Sequence, residues 1–494
     1  VSKIKSLAGD TIVYGGSTIL LRLLNWLLMP YYIRTMDGVQ YGIVTQVYGY
    51  IAILLVILTY GFETSFFRFA KEREFSKVFT TAITSIVSTS ALFVFLVVLL
   101  QDQLHILTDK KLSSELIVIV GILVAIDAIS SIIFAKIRYE GKSVRFALLK
   151  LINIIILISF NLYFLYWVPR NFGNNGYRIV DWFSYSGNQS FFVLLSNLIA
   201  SFSVLILILP DLFKKLSSVD FSLLKQMYKY SYPILIVGIT GMVNMQLDKI
   251  LIPEMIGGDE GLKQLAIYGA NFKIGVLMAM FTQSFRLAFE PYFFKDHKKG
   301  NIQYANILTY FVLFGLLIFL GVTFFIDIIN LLLTQEYIEG NIVIPIVLVS
   351  QLLSGIYFTL SVWYKVTDKT VFGAYMGIIG SLITIGLNVI LIPILGYVGS
   401  AIAGLVCFSV MVVLSIYWGK KHSNIRYDWN KVLSYTIIVA VIYVVGIKLI
   451  PISGNLLFDL SSIWYDIFFY GMRIGLIIVF LGFVYLKEFR IKNI

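Results

Sequence analysis

The sequence predicts an all-α polytopic membrane protein of about fourteen transmembrane helices, built as two pseudo-symmetric six-helix bundles plus a C-terminal helix pair. Three observations carry this. The 494 residues are 59% hydrophobic and only 13% charged, with a mean hydropathy of +0.88, far from soluble usage. Apolar runs of roughly 20 residues, enough to cross about 30 Å of hydrocarbon, succeed one another along the chain. The heptapeptide Phe62-Glu63-Thr64-Ser65-Phe66-Phe67-Arg68 returns 227 residues later as Phe289-Glu290-Pro291-Tyr292-Phe293-Phe294-Lys295.

The same offset, without a gap, carries Tyr41-Gly42 onto Tyr268-Gly269, Lys142-Ser143-Val144 onto Lys369-Thr370-Val371, Asn161 onto Asn388 and Arg22 onto Lys249. An acid, a base and a Tyr-Gly dipeptide holding one register across half a chain mark a duplicated unit. Residues 1–226 form the first six-helix unit, 227–430 the second, and 431–494 an appendix without a counterpart.

In order, the spans fall near 12–32, 42–63, 78–100, 114–135, 146–168, 190–210, 231–252, 266–290, 304–326, 341–363, 371–394, 397–418, 433–450 and 463–486. The first follows a short segment bearing Lys3 and Lys5 and has no small-residue cleavage site after it, so it reads as a membrane helix and not a removable signal. With the N-terminus inside, the segments assigned to the cytoplasm, one of which reaches Lys150 at the start of the fifth span, hold 27 Lys and Arg and those outside hold six. A bias repeated at every connection orients the protein with both termini cytoplasmic. Six helices per unit is an even number, so the two units enter from the same side and are related by an axis along the membrane normal. The glycines at 373, 377 and 380 on helix 11, and at 396, 399 and 404 at the start of helix 12, are small-residue packing sites.

The net charge of +12 is not a nucleic-acid signature, because its blocks flank apolar runs. The single cysteine, Cys407, lies in an apolar run and permits no disulfide within one chain. His105, His297 and His422 fall in connections without metal-ligand spacing. No phosphate-binding lysine loop and no Ser/His/Asp or HExxH arrangement is visible, which argues against ATP hydrolysis and hydrolytic catalysis.

Chemistry is sought where charge meets hydrocarbon, since an ionisable side chain there is costly. Six bases lie inside the apolar runs: Arg22, Lys249, Lys273, Arg286, Lys448 and Arg473, accompanied by Asp127 and Asp248, with Glu63 and Glu290 at the inner ends of helices 2 and 8. Arg22 sits near mid-membrane with Asn25 and Trp26 on its face, a guanidinium, an amide and an indole suited to a phosphate and a stacked sugar. The alternative is that Arg22 pairs with Asp127 on helix 4 and only fixes packing. Lys273 and Arg286 on helix 8 are 13 residues apart, about 220° around the helix after whole turns, so at most one points straight into a shared cavity. Asn244 and Asp248, at i and i+4 on helix 7 beside Lys249, are candidates for a coupling Na⁺ or H⁺ or for interhelical hydrogen bonding. Glu63 with Arg68, and Glu290 with Lys295, read as symmetric inner-gate ion pairs or as interface anchors.

Helix 1 with Gly15-Gly16-Ser17 and Arg22, the Tyr41-Gly42 opening of helix 2, the exit from Tyr60-Gly61-Phe62-Glu63 to Phe67-Arg68-Phe69, and Asp248 before Tyr268-Gly269 together resemble the polysaccharide-transport branch of the multidrug/oligosaccharidyl-lipid/polysaccharide exporter superfamily. The resemblance covers helices 1 to 12, and helices 13 and 14 match its longer members. It implies a flippase of the O-antigen type in a bacterial inner membrane, moving a lipid-diphosphate-linked oligosaccharide to the outer leaflet by alternating access. It also implies a cavity lined mainly by helices 1, 2, 7 and 8, whose cations engage the diphosphate. Carried over, that points to Arg22 and to Lys273 or Arg286. The partners implied are the lipid-linked oligosaccharide, membrane lipids, and a polysaccharide polymerase with other assembly enzymes; no cofactor is implied beyond Na⁺ or H⁺ coupling. The rival on the same fold is a cation-coupled multidrug exporter, and the rival of another class is a membrane glycosyltransferase or polymerase. The basic excess favours an anionic substrate.

Overall fold

The structure is a computed structural model. It describes residues 20–489 apart from 109–110, 173–188, 214–215, 296–300, 367–368, 370, 423–424, 426 and 452–462. Among the described residues thirteen helices are long and apolar enough to cross a membrane. They correspond one for one to the second to fourteenth expected spans: α2 Gly38–Glu72, α3 Phe75–Leu107, α4 Ser114–Tyr139, α5 Ser143–Asn171, α6 Gln189–Phe213, α7 Phe221–Ile256, α8 Gly258–Lys295, α9 Asn301–Phe324, α10 Gln335–Tyr364, α11 Val371–Leu395, α12 Tyr397–His422, α13 Trp429–Leu449 and α14 Ile463–Phe489. The first span, α1, is described only in its second half, helical over residues 20–35 with a break at Leu27, and the rest of it lies outside the described residues. Several helices run a few turns beyond their apolar windows, because a helix continues into the interface as long as its end groups find partners.

Sequence explains the ends. Asp37 caps α2 by accepting from the Gln40 amide, Ser113 caps α4 from Leu116, Asp220 caps α7 from Leu223, and Asp428 caps α13 from Lys431. α2 is broken at Tyr60 and Gly61, both left-handed (φ +33 and +74). Gly61 adopts this freely; Tyr60 is strained there and is held by its hydroxyl, 2.7 Å from that of Ser85, and by stacking on Tyr228. The break gives Phe62–Glu72 a separate direction with Glu63 in its first turn, where the helix dipole favours an acid.

By contact the chain forms two compact units, Val1–Lys273 with Ala374–Cys407, and Ile274–Gly373 with Phe408–Ile494.

In the first unit, residues matched by the 227-residue offset play matched parts. Asn161 and Asn388 are both fully buried, both donate to the carbonyl four residues back (Leu157 and Thr384), and both accept a hydroxyl from another helix, Tyr32 at 3.0 Å and Ser400 at 2.6 Å. Gly42 of α2 lies against α8, where an added Cβ would meet the Leu262 carbonyl oxygen at 2.1 Å. Its counterpart Gly269 of α8 lies against α2, where a Cβ would meet Thr45 at 2.9 Å. Each Tyr-Gly glycine admits the other's helix.

In the second unit, α14 is fastened through Arg473. Its guanidinium is buried, donates to the carbonyls of Phe324 and Gly446, lies 3.3 Å from Asp327 Oδ2 and covers the Phe469 ring at 3.7 Å. An intramembrane base is tolerable because protein dipoles replace its hydration.

Candidate functional site: a cationic cluster beside Trp26

Four helices of the first unit bring the site together. α1 supplies Arg22, Asn25 and Trp26. Arg22 and Asn25 are exposed and make no hydrogen bond or ion pair among the described residues. Trp26 is half-buried, and its Nε1 donates to the Lys273 carbonyl at 2.8 Å, tying α1 to α8. The Lys273 ammonium faces the rings of Tyr41 at 5.7 Å and Tyr32 at 5.9 Å. Tyr32 is fixed by its bond to Asn161.

α7 places Lys249 within electrostatic range of Lys273, so two like charges share one region of the first unit. Lys249 covers the Phe272 ring at 4.5 Å and donates to Gln246 Oε1 at 2.7 Å and the Met245 carbonyl at 2.9 Å. Asp248 is 3.5 Å from the Lys249 ammonium through Oδ1, while its Oδ2 accepts from the Tyr268 hydroxyl at 2.5 Å. Asn244 is engaged elsewhere, accepting from Thr384 of α11 at 3.1 Å. Asn244 and Asp248 thus share a face of α7 without converging on one ligand, and no group of three or more His, Cys, Asp or Glu is placed to hold a metal among the described residues.

The two alternatives on helix 8 separate as their spacing requires. Lys273 joins Trp26, whereas Arg286 lies in the second unit with its guanidinium over the Phe358 ring at 4.5 Å.

Arg22 does not pair with Asp127. Asp127 instead lines a cavity of about 360 Å³ inside the first unit, with Glu63, Arg138, Lys150, Asn153, Asn197 and Ser201. The expected Glu63–Arg68 pair is also not formed: Glu63 pairs with Arg138 at the end of α4, and Arg68 stacks over Tyr230 at 4.3 Å. The reason is helical geometry. Five residues turn the helix by about 500°, leaving the two side chains about 140° apart. The side chains of Glu290 and Lys295 lie outside the described residues.

Sequence reasoning missed Tyr32 and Tyr41 as the walls around Lys273. It also placed Arg138 and Lys150 among the membrane-flanking charges. A signal for the latter was present: Asp127, Ser131, Phe134 and Arg138 recur at helical spacing on α4, Phe146, Lys150 and Asn153 on α5, and Asn197, Ser201 and Val204 on α6.

The fold defines a polytopic helical membrane protein, and its first unit carries a candidate cationic cluster. Residues 7–297, more than half of the chain, match the polysaccharide biosynthesis protein family, and the chain belongs to that family. Among solved structures it is similar to the lipid II flippase MurJ in an inward closed conformation, with 16% identity over 96% of this chain and 99% of that one and a TM-score of 0.73. It is less similar to the MATE multidrug transporter DinF-BH, with 16% identity over 85% and 96% and a TM-score of 0.56. An outward-facing MATE family transporter of the MOP superfamily gives 14% identity over 84% and 95% and a TM-score of 0.54. No curated protein matches the chain by sequence.

Proposed function

We propose that this protein is a flippase that carries a lipid-diphosphate-linked oligosaccharide, a polysaccharide or O-antigen precursor, from the cytoplasmic to the outer leaflet of a bacterial inner membrane. The observation that carries the proposal is the Lys249–Lys273 pair. Two ammonium groups in electrostatic range, with one nearby acid, leave the region basic. A diphosphate answers that charge, and low dielectric strengthens the match. Arg22 is exposed, makes no hydrogen bond or ion pair among the described residues, and shares a helix with Trp26, whose indole offers a face for a sugar ring.

The two six-helix halves, residues 1–226 and 227–430, are the bodies that alternate access in this reading, both termini are cytoplasmic, and a polymerase takes the product at the outer leaflet. Glu63 and Arg138 close the inner side. Coupling runs through Asp248, since protonating it would remove the partner carboxylate of Lys249 and raise the positive charge that the diphosphate meets.

A cationic-drug exporter would need an acidic site, and the basic cluster speaks against that rival. The test is thermal stabilisation of the purified protein by a lipid-diphosphate oligosaccharide pool against a cationic dye, for wild type and Arg22→Ala. Stabilisation of wild type alone by the lipid-diphosphate supports the reading. Stabilisation of both proteins by the dye, and of neither by the lipid, replaces it with drug export.

A further inference from the structure

The cavity inside the first unit holds four charged side chains that the substrate site does not use. Glu63 on α2, Arg138 and Asp127 on α4, and Lys150 on α5 all line it, together with the polar Ser130, Ser131, Asn153, Asn197 and Ser201. Two acids and two bases make it neutral as a set, so it has no net charge with which to recruit an ion from outside. What it can do is exchange partners.

The α4 stripe sets the distances. Phe134 lies seven residues beyond Asp127 and four before Arg138, about 10 Å and about 6 Å along the helix. The Lys150 ammonium sits over the Phe134 ring, 4.3 Å from its centroid, and so is parked between the Asp127 end and the Glu63–Arg138 end. It is in electrostatic contact with Asp127, and also with Arg138 and Glu63. Arg138 itself is only partly satisfied: it pairs with Glu63, but its Nε is buried without a hydrogen-bond partner among the described residues. Lys150 thus combines a flexible stem, a ring as its resting place and a surrounding cavity of about 360 Å³.

We propose that Lys150 is a mobile counter-ion that serves two carboxylates of this cavity in turn, Asp127 while Arg138 holds Glu63, and Glu63 when Arg138 lets go. The gating consequence rests on the inner-gate reading of Glu63 and Arg138, whereas the partner exchange does not. Lys150 would then be a positioning residue that keeps Glu63 paired during opening.

The test is a double-mutant cycle on the purified full-length protein, read as melting temperature without substrate, so that its failure is separable from failure of the flippase reading. Glu63→Gln and Lys150→Met are combined first with Arg138 present and then in an Arg138→Gln background. The expected result is additivity with Arg138 present and a coupling of about 2 °C or more once Arg138 is removed. Additivity in both backgrounds, or equal coupling in both, overturns the proposal. A second variant guards against misfolding of Lys150→Met. Asp127→Asn frees Lys150 for Glu63, and it should raise the melting temperature of Arg138→Gln. No rise, or a further fall, overturns the proposal as well.

Discussion

Glu63 and Arg138 form an ion pair that joins the short second segment of α2 to the last turn of α4. The pair is partly solvent-exposed, 44% and 32% for the two side chains, so its contribution to stability is within about 1 kcal/mol. Its interest is directional. Phe62–Glu72 takes its own direction after the left-handed break at Tyr60 and Gly61, and the ion pair fixes it to α4. Glu63→Gln is expected to slow reorientation several-fold while leaving lipid-diphosphate binding within twofold. A fluorescence assay of flipping in proteoliposomes, alongside a binding assay, checks the split; equal loss of both would remove the gate.

Lys273 and Lys249 supply the charge in the proposed substrate site. A charge-assisted hydrogen bond contributes roughly 1.5–3 kcal/mol, so Lys273→Gln should weaken binding of a lipid-diphosphate by about tenfold to a hundredfold. Lys249→Gln should weaken it less, because Asp248 already offsets that charge. Titration with a short-chain lipid diphosphate measures both. An unchanged affinity in Lys273→Gln would move that lysine to a packing role between Tyr32 and Tyr41.

In the proposed coupling, Asp248 is the residue that links the site to a gradient. Its two oxygens are used by the Tyr268 hydroxyl and by Lys249, which leaves protonation as the simplest way to release Lys249. Asp248→Asn should give flipping that no longer responds to collapse of the proton gradient. Tyr268→Phe, which removes only the hydroxyl bonded to Asp248, should keep the response. Gradient-independent flipping by the wild type would exclude the coupling.

The fold was legible because spanning a bilayer is a one-dimensional requirement of length and hydropathy, and the repeat checked one half against the other. Of the candidate site, Arg22 and Lys273 were legible as charges that stand out against hydrocarbon, whereas Lys249 was read only as a membrane charge. The walls of the site were not legible. Tyr32 and Tyr41 are two among 31 tyrosines in a chain that is 16% aromatic, and only tertiary packing distinguishes them. The partners of Glu63 and Asp127 were lost for another reason: a positive-inside count treats every base near a helix end as solvated, whereas Arg138 and Lys150 turn inward on the polar stripes of α4 and α5.

Arg473 shows what an intramembrane base does when it serves the fold. It bonds two main-chain carbonyls that have no equally good donor if it is removed, and it anchors α14 to the α9 end and to α13. Arg473→Met keeps much of the volume but strands those acceptors, a loss of about 2–4 kcal/mol. The expected reading is a clearly lower melting temperature with lipid-diphosphate affinity unchanged at low temperature. A wild-type melting temperature would show that α14 is held by apolar packing alone.

Gly42 and Gly269 are equivalent by the repeat but not in what surrounds them, and this asymmetry gives a sharp comparison. A Cβ at position 42 would meet the Leu262 carbonyl oxygen at 2.1 Å and the Leu262 Cα at 3.1 Å, all of it main chain of α8 that cannot move without shifting the helix. A Cβ at position 269 would meet Thr45 at its Cγ2 (2.9 Å) and Oγ1 (3.1 Å), side-chain atoms that can give way by a small off-rotamer shift at a cost of about 1 kcal/mol without moving main chain. Overpacking against main chain costs about 1–3 kcal/mol or more, so Gly42→Ala should destabilise the protein several-fold more than Gly269→Ala in free-energy terms. It should also lower lipid-diphosphate affinity, because pushing α8 away from α2 moves Lys273 from between Tyr32 and Tyr41. Gly269→Ala should leave affinity near wild type, with Thr45→Ser relieving most of its residual defect. Melting curves and binding isotherms for the two alanine variants decide the matter, and a Gly269→Ala effect as large as that of Gly42→Ala would mean that α2 and α8 pack more tightly at Thr45 than the side-chain contact implies.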